Sequence, residues 1–190
     1  MKSIARFALI LVAVSFLGGC GYNTLQAKDE TVKEAWAKVL TAYKKRHDLV
    51  PNLLGAAEKY AAHEKETFMK VTQARALASQ PMPDNPTQEQ VNEFEKRQRE
   101  LSASISQLRV TVESYPQLKA DQGFLKLQDE LVNAENQIAA SRNVYAREVR
   151  AYNVVVRSFP SNLTAKLFGN PLKPQLEEDN KAIMEAPVIR

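Results

Sequence analysis

The 190-residue chain has one cysteine, six glycines and two histidines, and each scarcity removes a class of protein. A lone cysteine, Cys20, permits no disulfide within the chain, and once that thiol is modified no cysteine nucleophile is left. Three of the glycines, Gly18, Gly19 and Gly21, sit together near the start, while Gly55, Gly123 and Gly169 are too scattered to form a phosphate-cradling loop. His47 and His63 lie sixteen residues apart, which on a continuous helix is about 24 Å and nearly opposite faces. They cannot share a metal ion within one chain. His63-Glu64-Lys65-Glu66 lacks the second histidine of HExxH, and no GxSxG serine elbow is present. Basic residues are interleaved with acidic ones, so no stripe points to nucleic acid. No catalytic constellation, metal site or cofactor motif is left, and no strand pattern appears.

What is present begins with an export signal. Lys2 and Arg6 precede an apolar run over residues 7–17, too short to span about 30 Å of hydrocarbon as a helix. Leu17-Gly18-Gly19-Cys20 then resembles a bacterial lipobox. This implies cleavage before Cys20, a diacylglycerol thioether on its sulfur and an acylated amino terminus, with attachment by several acyl chains. The alternative is an uncleaved signal anchor extended to about Tyr22. Either reading places residues 23–190 in the cell envelope. Gly21, rather than Asp, after the cysteine favours the periplasmic face of the outer membrane where the host has two membranes, whereas a signal anchor would remain in the inner membrane. Removing Lys2 and Arg6 from the 26 basic residues leaves 24 against 22 acidic ones, a net charge of +2.

The remainder reads as helices. Val32, Ala35, Trp36, Val39, Leu40 and Tyr43 share one face, and Lys44-Lys45-Arg46 suits a helix C-terminus. Asp48 offers an N-cap for a second helix over 50–79, with Pro51 tolerated in its first turn. Three prolines make residues 80–86 a loop. Thr87 and Gln90 have capping-box spacing and open a helix to about 114. The longest helix is expected over 121–159, followed by a short turn at 161–168. These lengths predict an all-α, antiparallel up-and-down bundle of four helices, with reversal near Asp48. The alternative is three long helices, the first kinked at Pro51, because the seam 36, 40, 43, 47, 50, 54, 57 stays in phase across the proline. The organisation is then a signal (1–19), an anchor and linker (20–29), the bundle (30–169), and a mobile or loosely docked tail (170–190).

Asn23-Thr24-Leu25, Ala35-Trp36, residues 45–53, residues 60–64 and Ala74-Arg75 resemble the front half of the LemA family. Residues 115–120, Glu135-Asn136-Gln137-Ile138, Ala140-Ser141-Arg142, Tyr152-Asn153 and residues 159–163 resemble its back half. The resemblance implies a helical-bundle envelope protein held by its N-terminus, and it carries over no catalytic residue or cofactor. Members commonly keep an uncleaved N-terminal membrane helix, from which the lipobox departs.

Polar residues at seam positions are Glu64, Arg75, Gln98, Glu135 and Arg142. Counting levels outward from the loops places them near one section of the bundle, either as a buried ion network that sets register or as a groove for a ligand. His47 and Asp48 read as a helix-terminal histidine beside an N-cap. The expected function is a non-enzymatic, lipid-anchored scaffold or adaptor for other envelope proteins. Two alternatives stand beside it: an envelope hydrolase using Glu64 or Glu135 as acid or base, and a binder of a small anionic ligand at Arg75 and Arg142. Partner identity and oligomeric state are not encoded in any motif.

Overall fold

The computed structural model describes residues 2–177, with side chains from residue 21 onward. The side chain of Cys20, with the rest of the lipobox, and residues 178–190 lie outside the described part. Among the described residues the fold is all helical: α1 (Lys2–Glu58), α2 (Lys65–Ala78), α3 (Gln88–Val112), α4 (Pro116–Lys119), α5 (Gln122–Arg157) and α6 (Ser161–Leu167). Among the residues whose side chains are described, no helical stretch is long and apolar enough to cross a membrane.

Two long antiparallel helices form the spine. Trp36 on α1 meets Tyr145 on α5, and ten residues further along α1 Arg46 meets Glu135, ten residues back along α5. α3 packs along this spine through both halves, and α2 covers it at the end where α1 finishes. The expected capping box is present: Thr87 Oγ1 accepts from the Gln90 amide at 3.2 Å, and Gln90 Oε1 accepts from the Thr87 amide at 2.8 Å. At the start of α5, Asp121 accepts from the Phe124 amide at 2.8 Å.

The reversal near Asp48 does not occur. α1 continues through Pro51, the chain turns back only over residues 59–64, and α1 with 57 residues is the longest helix instead of α5 with 36. Asp48 is therefore no N-cap. It sits mid-helix, 2.6 Å from Lys44 Nζ and 3.2 Å from His47 Nδ1. The physical difficulty of a mid-helix proline is the carbonyl four residues back, which loses its N–H donor, at a cost of about 3 kcal/mol. Here that carbonyl belongs to His47, and Arg75 Nε from α2 donates to it at 3.1 Å. On either side of the proline, Val50, Leu53 and Ala57 are buried. Burying Val and Leu side chains contributes about 1.5–3 kcal/mol each, so continued packing together with the replacement donor outweighs the proline.

Two apolar clusters fill the interior. One is rich in aromatic rings, centred on Trp36, Tyr43, Phe94, Tyr145 and Tyr152. The other is mostly aliphatic, with Val50, Leu53, Val71, Leu101, Ile105, Leu108 and Leu131. Residues 171–177, part of the stretch expected to be mobile or loosely docked, lie as a strap along the aromatic half. Tyr152 Oη donates to the Pro171 carbonyl at 3.1 Å and Tyr145 Oη to that of Pro174 at 3.0 Å. The Asn153 amide donates to the Lys173 carbonyl and accepts from its N–H, and Leu176 is buried.

Candidate functional site

Between the two clusters lies a belt of buried polar groups. Arg46 projects from α1 with its side chain only 1% exposed. Its Nη1 donates to Ser102 Oγ at 2.5 Å and to Glu135 Oε1 at 3.0 Å, and its Nη2 donates to Gln98 Oε1 at 2.6 Å and to the Gln98 carbonyl at 3.1 Å. Gln98 Nε2 in turn donates to the carbonyl of Ala78 at 2.9 Å, one of the α2 carbonyls that has no partner within its own helix. A single guanidinium thus ties α1 to α3 and α5, and through Gln98 to the end of α2.

One turn away, Arg142 on α5 faces Glu95 on α3, whose side chain is 1% exposed, at 2.7 Å. Arg142 Nη1 also donates to Tyr43 Oη at 3.1 Å and its Nη2 to the Glu177 carbonyl at 2.7 Å, while Glu95 Oε2 accepts from the Glu177 N–H at 3.1 Å. The ion pair therefore holds both backbone groups of one strap residue. Burial raises the pKa of Tyr43 despite the opposing pull of Arg142 and Arg46, so its hydroxyl remains neutral. For Arg142, burial works against the charge, but Tyr43 and Glu95 more than offset it and the guanidinium is held more firmly protonated than usual. A cleft of about 150 Å³ opens beside these groups, between α1, α3 and α5.

Of the five residues singled out in the sequence, three meet here: Gln98, Glu135 and Arg142. The other two do not. Glu64 lies in the turn between α1 and α2 and accepts from Tyr115 Oη at 2.7 Å, and Arg75 serves the carbonyl released by Pro51. Arg46 and Glu95 are the central members that sequence reasoning missed. The available signal for Arg46 was its spacing, i+3 from Tyr43 and i−4 from Val50, which counts only if the helix continues. Glu95 is four residues from Val91 and three from Gln98. Among the described residues no group of three or more His, Cys, Asp or Glu side chains could hold a metal ion.

A larger cleft of about 950 Å³ lies between the first half of α1, the loop before α3, the end of α5 and the strap. Across it Asp29 bridges Lys173 at 2.6 Å and Lys33 at 2.8 Å. Burial tends to raise the Asp29 pKa, but these two ammonium groups reverse that and hold it below the ordinary carboxylate value. Burial pushes the Tyr152 phenol up to about 12, with Asp29 adding to the effect, and raises Tyr145 further. Both phenols therefore act as neutral donors to the strap.

Comparison with known proteins gives a consistent answer. The model of the LemA family matches residues 35–190. A curated relative, Protein LemA of Metamycoplasma hominis, is 25% identical over 167 residues, covering 88% of this chain and 70% of the relative.

Proposed function

The chain belongs to the LemA family, and from that premise we propose that it is a non-catalytic scaffold or adaptor, anchored at the bacterial cell envelope through its N-terminus, with lipidation at Cys20 as the attachment. The observation that carries this reading is how the interior charges are used. Arg46 faces Glu135, Arg142 faces Glu95, and Gln98 and Tyr43 fill the remaining hydrogen-bonding positions. An acid–base pair needs a carboxyl group free to reach a substrate proton. Glu64 and Glu135, the two candidates for that role, are committed to Tyr115 and Arg46. A belt that spends its charges on connecting α1, α3, α5 and the strap makes a stiff rod whose value lies in its outer surface.

The test is photoreactive residues placed one at a time on the exposed faces of α1, α3 and α5 in living cells, followed by identification of what they capture. Repeated recovery of one envelope protein from one face is the expected result. Random neighbours from all faces would sink the adaptor reading.

A further inference from the structure

α6 is built inside out. A surface helix of a globular protein turns its large apolar residues to the core and its polar ones to solvent. α6 buries the small residue Ala165 and sets Ser161 and Thr164 against α1, while Leu163 and Leu167 face outward. Leu167 is 80% exposed, and Phe159, just before the helix, is 79% exposed. Phe168 and Leu172 continue the apolar surface, and Tyr22 from α1 stacks against Phe168 with ring centroids 4.8 Å apart. Exposed apolar residues elsewhere, such as Met69, Val110 and Val132, stand on separate helices. A contiguous apolar patch on a soluble face marks an interaction site.

The position of the patch says what covers it. α6 touches α1 at Gly21, where an added Cβ would lie 3.4 Å from Thr164 Oγ1 and 3.6 Å from Ser161 Oγ. α1 is one helix from Lys2 onward, so the end of the apolar run at residue 17 is only about 6 Å along the axis from residue 21. Wherever that run, or a lipid on Cys20, meets a bilayer, α6 is at the headgroup level. The charge pattern agrees. Between Glu148 and Glu177 the chain has no acidic residue and four basic ones, Arg150, Arg157, Lys166 and Lys173. Basic residues close to the surface favour anionic lipid, and aromatic rings favour the interface.

We infer that the outward face of α6, formed by Phe159, Leu163, Leu167, Phe168 and Leu172 with Tyr22, is a lipid-contacting foot that seats the bundle on the surface of the membrane holding its N-terminus. This rests on the envelope-anchoring reading above. With the foot embedded, the rod stands at a fixed orientation instead of swinging from a tether.

The experiment uses the full-length chain reconstituted into phosphatidylcholine–phosphatidylglycerol vesicles whose acyl chains are brominated to quench nearby indole fluorescence. Trp36 is buried and sits about 22 Å along α1 from Gly21, so the wild-type chain supplies the baseline. The L167W variant places an indole in the foot, and V110W places one at an exposed site towards the far end of α3. The expected result is that all three float with the vesicles, and that only L167W shows a blue shift and loses most of its added emission. Protein that floats with L167W unquenched overturns the foot and leaves anchoring intact, whereas protein that does not float overturns both. Equal quenching of L167W and V110W would mean that the rod lies flat, which also overturns the foot. An unquenched L167W probe whose emission follows the protein-to-lipid ratio would assign the patch to a second copy of the chain instead.

Discussion

The two halves of the bundle solve the same packing problem with different chemistry. In the aliphatic half, α2 closes the fourth side, and a helix satisfies its own backbone. Leu, Ile and Val fill most of it, and the few backbone groups left over, the carbonyls of His47 and Ala78, are met by Arg75 and Gln98. In the aromatic half α2 has ended, and its place is taken by the loop over residues 79–87 and the strap over 171–177. Irregular chain brings N–H and C=O groups that need partners when covered. The core beneath supplies them from rings with polar edges: Trp36 Nε1 donates to the Pro83 carbonyl at 3.2 Å, and Tyr145 and Tyr152 donate to Pro174 and Pro171. The same rings pack edge-on, as Tyr43 does with Phe94 at 5.0 Å and 88°. Where a bundle trades a helix for a strap, its core must become amphipathic.

The polar belt at the boundary is where this contrast breaks most easily. Arg142→Leu leaves Glu95 buried beside an apolar side chain and also frees the Glu177 carbonyl, so it should lower the stability by about 3–5 kcal/mol. The double variant E95L/R142L removes both charges and should recover most of that loss. Urea midpoints for the pair decide the matter, and a double variant no better than the single one would mean that the belt is more than a charge pair.

A smaller effect tests the proline bridge on the aliphatic side. Arg75→Leu leaves the His47 carbonyl without its donor, at about 1–3 kcal/mol. In a Pro51→Ala background the restored N–H at position 51 reclaims that carbonyl, and the same substitution should then cost markedly less. A double-mutant cycle that closes additively would show that Arg75 does something other than replace the proline's missing donor.

That bridge also explains what the sequence could and could not disclose. Thr87 and Gln90 were legible as a capping box because a cap is settled within three residues. The faces of α3 and α5 were legible because an unbroken period of 3.6 needs no partner to be seen. Asp48 and Pro51 imitate a helix start just as well locally. What overrules them is a bond to the His47 carbonyl from Arg75, 28 residues after His47 in the chain, together with burial of Val50, Leu53 and Ala57. Misplacing the turn then hid Arg46, which looked like the end of a helix, and moved Glu64 and Arg75 into a section they do not occupy. How residues 171–177 dock was hidden for a related reason: the carbonyls of Pro171 and Pro174 find Tyr152 and Tyr145 only in three dimensions.

On the aromatic side, Tyr152→Phe keeps the ring and removes the donor to the Pro171 carbonyl. The expected cost is about 0.5–1.5 kcal/mol, the net value of a hydrogen bond with water able to compete. Because that bond holds the strap and not a helix, limited proteolysis at Lys173 should accelerate more than global unfolding does. Equal changes in both would mean that the strap and the helices open together.

The smallest effect concerns acid, and its sign follows from Asp29. Lys173 and Lys33 keep the folded carboxyl below the 3.8 expected without them, so the unfolded chain binds this proton more readily than the folded one. The contribution to stability is therefore complete above about pH 4 and is lost as the pH falls through the lower, folded value. Part of what is lost is the link between α1 and the strap, because Lys173 is the residue that Asp29 grips. Asp29→Asn should lower stability at neutral pH and flatten the decline on the acid side, leaving the aliphatic half unaffected. Amide protection factors, with the intrinsic exchange rate at each pH divided out, would separate the two at pH 3 and pH 5: residues 172, 173 and 175–177 should lose protection at the lower pH in the wild type and not in D29N, while Leu101 and Leu108 in α3 should be protected alike in both.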